Sequence, residues 1–149
     1  MDRSRVRLSA LSPREASIFA CLVDALVAPR SPLAPVTETN AVAAFDSWLA
    51  ASPRPNRLGL RALLYTVELG PLLTGRVARM RTLDRAGRTH YLEAIDNAPL
   101  AAIRQVGKLV KSMAYGSYYG DDAILRTVGY DPDARVDRGR RLRAEEGRP

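Results

Sequence analysis

The sequence predicts an all-α protein, a compact orthogonal bundle of about six or seven helices. Three observations carry that expectation. Apolar residues recur at three- and four-residue steps in segment after segment, and no stretch sustains the alternation of a strand. Proline-rich breaks also divide the chain at helix-length intervals.

The first helix begins at Ser12-Pro13-Arg14-Glu15, a capping box with proline at the first helical position, where a missing N–H costs nothing. Ile18, Cys21, Leu22, Ala25 and Leu26 form one apolar row, and Phe19, Val23 and Val27 a second. A helix with two apolar rows is covered on most sides, by its own domain or by a partner. Pro29 ends it, and Pro29 to Pro35 makes a stiff extended connection. Thr39 or Asn40 caps a second helix through Val42, Phe45, Trp48 and Leu49. Ser52-Pro53-Arg54-Pro55 breaks it, and Asn56 is the expected cap of a third, from Arg57 to about Leu69. Gly70-Pro71 then kinks or breaks the apolar run before a segment ending near Met80.

Asp84 caps a helix carrying Tyr91, Leu92 and Ile95, and Pro99 suits the first turn of the next. That long helix has Ile103, Val106, Val110 and Met113 on one side, with Gly107 allowing close approach of a neighbour. Asp121 or Asp122 starts a short helix through Ile124 and Val128. Three regions result: a basic lead at residues 1–10, a helical domain at 11–130, and a charged tail at 131–149. The tail has too little apolar surface to order itself alone, so it is expected to be disordered or to fold along a partner.

A chain of 149 residues is long enough to bury a core without a disulfide or a metal. One cysteine, Cys21, excludes an internal disulfide and a cysteine-based zinc site. One histidine, His90, leaves little for a Ser-His-Asp or Cys-His engine. No catalytic, cofactor-binding or metal-binding residue is therefore assigned. The net charge of +7 suggests an anionic partner. Of the 23 cations, however, only Lys108 and Lys111 are lysine, and the arginine excess resembles the coding bias of a GC-rich bacterial genome. No apolar stretch reaches the length of a membrane span, and no leader or twin-arginine motif is visible, so a cytoplasmic location is expected.

Several constellations have both a functional and a plain structural reading. Arg104, Lys108 and Lys111 share a helix face with Tyr115, which fits phosphate contact or simply a solvated polar face. Asp24 and Glu68 interrupt apolar helices, so each calls for an arginine partner inside the domain or across an interface. His90 reads as a surface residue, and Cys21 as a buried small hydrophobe. Tyr115, Tyr118 and Tyr119, with Gly116 and Gly120, form a dense aromatic cluster suited to a core or an interface.

The segment Ala114-Tyr115-Gly116-Ser117-Tyr118-Tyr119-Gly120-Asp121-Asp122, followed by Ile124 to Val128 and Gly129-Tyr130, resembles a family ending of the form YY-s-D-p-x-x-x-x-x-I-G-Y. Leu11-Ser12-Pro13-Arg14-Glu15 and Ala25-Leu26-Val27-Ala28-Pro29 are similar to the same family's opening. That family is the small subunit, subunit 3, of gluconate 2-dehydrogenase-type enzymes. The resemblance spans roughly Leu11 to Tyr130 through short, largely structural motifs. Arg30-Ser31-Pro32 departs from the small acidic turn that often follows the family's proline, and the twin-arginine signal of many members is absent.

The resemblance implies a non-catalytic helical subunit that binds and stabilises a larger FAD-dependent glucose-methanol-choline oxidoreductase acting on alcohols or sugars. FAD is then expected in the partner and not in this chain. An electron-transfer protein is a second candidate partner, and nucleic acid a disfavoured one. The partner interface is assigned to Phe19, Val23, Asp24, Val27, Tyr115, Tyr118, Tyr119 and Tyr130, and a basic face to Arg104, Lys108 and Lys111. Two other readings stand beside it: a basic helical nucleic-acid-binding protein, and a stand-alone small-molecule binder with the tyrosine cluster lining its pocket.

Overall fold

The computed structural model describes residues 8–147 except Arg76. The basic lead assigned to residues 1–10 thus lies outside the described residues as far as Arg7, as do tail residues 148 and 149. Among the described residues the chain is all-α, with seven α-helices, two short 3-10 helices and no strand. The helices are α1 (Pro13–Val27), α2 (Ala41–Ala51), α3 (Arg54–Leu73), α4 (Arg85–Asp96), α5 (Ala101–Tyr119), α6 (Asp122–Thr127) and α7 (Pro132–Glu145). α1 and α5 pack together at the centre. α2, α3 and α4 also pack on α1, while α2, α4 and α6 pack on α5.

The start of α1 follows from its sequence. The Ser12 hydroxyl accepts from the Glu15 N–H at 3.3 Å, and the Glu15 carboxylate accepts from the Ser12 N–H at 2.8 Å. At the other end Ala28 adopts the left-handed conformation, φ 46° and ψ 54°, with its N–H donating to the Asp24 carbonyl. The chain itself covers the middle of both apolar rows, while Cys21, Ala25, Leu26 and Val27 are half-buried. Ile18, Phe19, Leu22 and Val23 are fully buried, and the Phe19 ring stacks on Phe45 of α2 with centroids 4.0 Å apart.

α3 differs from expectation at both ends. It begins at Arg54 behind Pro53, one turn before the expected start, because Pro55 falls in the first turn where backbone N–H groups have no helical acceptor. It also continues through Gly70-Pro71 to Leu73. Pro71 has no N–H to offer the Val67 carbonyl four residues back. The Tyr91 hydroxyl of α4 fills that vacancy, donating to the Val67 carbonyl at 3.0 Å. Gly70 makes the approach possible, since a Cβ there would lie 2.0 Å from the Tyr91 hydroxyl oxygen.

Four buried carboxylates fasten the helices, among them Glu15 of α1, which pairs with Arg61 of α3 at 3.4 Å. Glu68 of α3 is fully buried and receives the Arg81 Nε–H at 2.9 Å, and Arg81 in turn donates to the Ser17 hydroxyl of α1. The arginine partner expected for Glu68 therefore lies inside the domain. Asp46 of α2 accepts from the N–H groups of Ser9, Ala10 and Leu11 and from the Ser9 hydroxyl, at 2.7 to 2.9 Å. Asp121 caps α6 through the Ala123 N–H and also accepts from the Asn40 N–H at the start of α2, both at 2.8 Å.

The charged tail carries α7. Asp131 caps it by accepting from the Asp133 and Ala134 N–H groups, and Pro132 occupies its first position. Among its described side chains none is buried. Its contact with the preceding turn is Arg135 over the Tyr130 ring, 5.0 Å from the centroid.

Candidate functional site

α2, α3 and α5 leave an open groove of about 470 Å³ between them. It arises from the pattern on α5. Gly107, Val110, Met113, Ala114 and Tyr118 turn one side of that helix into the core. Leu109, Ser112 and Gly116, three and seven residues along, form the neighbouring strip and stay outside. Ala44 and Trp48, one turn apart on α2, face the same space, and Leu60 of α3 closes it. Trp48 is 53% exposed and Leu109 48%, large values for side chains of this size. The Trp48 ring rests against Phe45 with centroids 6.0 Å apart, so one part is anchored while the rest is open. Gly116 has no neighbour within 4 Å of where a Cβ would stand, so its bare backbone is part of an accessible surface.

The electrostatics of this surface are one-sided. α2, α3 and α5 together contain two carboxylates, Asp46 and Glu68, and both are buried and hydrogen-bonded. The same helices carry Arg54, Arg57, Arg61, Arg104, Lys108 and Lys111. Arg61 is engaged by Glu15 and the Ala10 carbonyl, Arg104 by the Ala98 and Pro99 carbonyls, and Lys111 by Asp96. Arg54, Arg57 and Lys108 remain uncommitted among the described residues. Arg57 precedes Leu60 by one helical turn, and Lys108 precedes Ser112 by one.

The residues assigned to an interface from sequence divide into two groups. Phe19, Val23 and Tyr118 are fully buried in this chain's own core, which corrects their assignment to a surface. Their apolar periodicity is met by α2 and α5, and the Tyr118 hydroxyl donates to the Ala34 carbonyl at 2.5 Å. Burial, with Tyr119 and Asp121 close by, pushes the Tyr118 phenol above its ordinary pKa and keeps it a neutral donor. Asp24 and Val27 are half-buried, and Asp24 has no ion pair among the described residues. Tyr115, Tyr119 and Tyr130 are exposed, and the Tyr115 and Tyr119 rings lie 6.3 Å apart. On the basic face, Arg104 donates to the Ala98 and Pro99 carbonyls and Lys111 pairs with Asp96, while Lys108 is exposed.

A second, smaller cavity of about 350 Å³ lies between the end of α3, α4 and the start of α5, lined by Thr74, His90, Tyr91, Ala94 and Ile103 among others. His90 is exposed there. Tyr91 is pushed up to about 12 by burial and by the nearby Glu68 carboxylate. Burial raises the Cys21 thiol as well, so less of it is thiolate at neutral pH. Among the described residues no three His, Cys, Asp or Glu side chains gather as a metal site, and no helix is long and apolar enough to cross a membrane.

The groove was not legible from apolar periodicity. Trp48 and Leu109 each read as members of an amphipathic helix, and only the packing leaves them uncovered. One signal was available in sequence: α5 has no carboxylate in its whole length. Comparison of the chain with protein-family models, with curated proteins and with solved structures finds no match.

Proposed function

We propose that this chain is a non-catalytic accessory subunit that binds and stabilises a larger FAD-dependent alcohol or sugar oxidoreductase. The observation that carries the binding role is the groove of α2, α3 and α5, where Trp48 and Leu109 hold about half their surface open. Exposed apolar surface of this kind is a mark of association. The identity of the partner as a flavoenzyme rests on the motifs at Leu11 to Glu15 and Ala114 to Tyr130. Its mechanism is mass action: a subunit that binds only the folded catalytic chain raises that chain's stability in proportion to its occupancy.

The nucleic-acid reading is weakened by the internal engagement of Arg104 and Lys111. The test is native pull-down of the tagged chain from its own host, with mass spectrometry and an absorbance spectrum of the eluate. The expected result is a co-eluting chain of flavoenzyme size with oxidised-flavin bands. A colourless, lone 16.3 kDa protein contradicts the proposal.

A further inference from the structure

Away from the groove, one end of α3 gathers positive charge. Arg57 and Arg61 follow Arg54 by three and seven residues, which sets all three on one face of the first two turns. With Ser9, Ala10 and Leu58 they line a cavity of about 280 Å³ that no carboxylate lines. The acids that touch the lining residues are already committed. Glu15 accepts from the Ser12 N–H at 2.8 Å and pairs with the Arg61 Nε at 3.4 Å. Asp46 is buried and accepts from the N–H groups of Ser9, Ala10 and Leu11 and from the Ser9 hydroxyl. The sequence leading to Ser9 holds Arg3, Arg5 and Arg7 against Asp2, a further surplus of cations. Arg54 and Arg57 have no counter-charge among the described residues.

Arg61 is held in place, with Glu15 beside its Nε and the Ala10 carbonyl accepting from its terminal nitrogen. That Nε is buried and has no hydrogen-bond acceptor. A guanidinium stays charged at any working pH, and its planar fork matches the oxygens of a phosphate. With Arg61 matched by Glu15, the charges of Arg54 and Arg57 remain, and both border one small space. A phosphate monoester answers them with close to two negative charges and three acceptor oxygens on a single centre. A phosphodiester brings one charge per phosphate. The volume lies below the roughly 300–1,000 Å³ of pockets that enclose a whole drug-sized ligand, so it admits a terminal phosphate and leaves the rest outside. We propose that Arg54, Arg57 and Arg61 form a binding site for the terminal phosphate of a phosphate monoester. This site goes beyond the accessory-subunit reading and does not depend on it.

The phosphate has a soluble and a lipid source, and the experiment reads both. The full chain is titrated calorimetrically with glycerol 3-phosphate, and with dimethyl phosphate as the singly charged diester. It is also sedimented with phosphatidylcholine vesicles containing phosphatidic acid, whose headgroup is a monoester, or phosphatidylglycerol, a diester. In whichever form binds, the monoester is expected to exceed the diester by about tenfold or more, with affinity falling as salt rises. Arg54→Gln and Arg57→Gln should each weaken monoester binding about tenfold, the scale of a hydrogen bond to a charged group. Neither side chain has a partner among the described residues, and unchanged circular dichroism checks that the variants fold. Arg85→Gln, on α4 and outside the cavity, removes the same charge and should change the affinity less than about twofold.

Heat from glycerol 3-phosphate with no preference between the vesicles assigns the site to a soluble ester. Retention on phosphatidic acid that Arg57→Gln abolishes assigns it to a lipid headgroup. Absence of both overturns the proposal, and so does equal binding of monoester and diester. A loss in Arg85→Gln as large as in Arg57→Gln also overturns it, because net charge and not the cavity would then be responsible. Binding of single-stranded DNA or a polyglutamate peptide in place of the monoester would make these arginines a general anion surface and sink the assignment.

Discussion

Asp46 shows how much a single carboxylate can organise. Burial alone would raise its pKa, but the N–H groups of Ser9, Leu11 and Ala10 and the Ser9 hydroxyl together bring it below the ordinary value. A carboxyl lowered in the folded state adds stability above its unfolded pKa of about 3.9, and that stability is lost as pH falls through the folded value. Asp46→Asn should therefore cost about 2 kcal/mol at neutral pH, the range of a hydrogen bond to a charged group. Urea melts of both proteins should converge below about pH 4; a gap independent of pH would mean that charge is not the cause. Tyr91 permits a second test. Tyr91→Phe orphans the Val67 carbonyl beside Pro71 and should cost about 1–3 kcal/mol. Adding Pro71→Ala, which restores an N–H four residues on, should recover part of that loss, and simple additivity would refute the link.

At the level of the helix, the sequence was most informative where caps and breakers are local. The Ser12 capping box, Asp84 and Asp121 are all found capping their helices, because each cap needs only a backbone donor two or three residues away. The fate of Gly70-Pro71 was not legible, because it depends on Tyr91 from another helix reaching the carbonyl that proline strands. The interface assignment failed at Phe19, Val23 and Tyr118 for a related reason: periodicity marks an apolar face without saying which element covers it. Ala28 gives an element-scale prediction. An alanine in the left-handed region at the end of α1 is strained, so Ala28→Gly should raise stability by about 0.5–1 kcal/mol, seen as a higher melting midpoint. For α7, none of whose described side chains is buried, ending the chain after Tyr130 should leave the melting temperature nearly unchanged. A drop of several degrees would place the tail on the core.

For the molecule as a whole, the division is between a core that closes on itself and a surface that does not. α1 and α5 satisfy their apolar faces with α2, α3, α4 and α6, and Glu68, Asp46 and Asp121 fasten those helices with buried hydrogen bonds. The groove at Trp48 and Leu109 remains open on the same scaffold. A frame presenting exposed apolar surface suits the proposed role of a subunit that holds another chain. The most direct test is an anaerobic titration of the complex recovered with the tagged protein, using a panel of alcohols and sugars. The account predicts oxidised-flavin bands that bleach with one member of the panel. A recovered protein without flavin, or a flavin that none of the panel reduces, contradicts it.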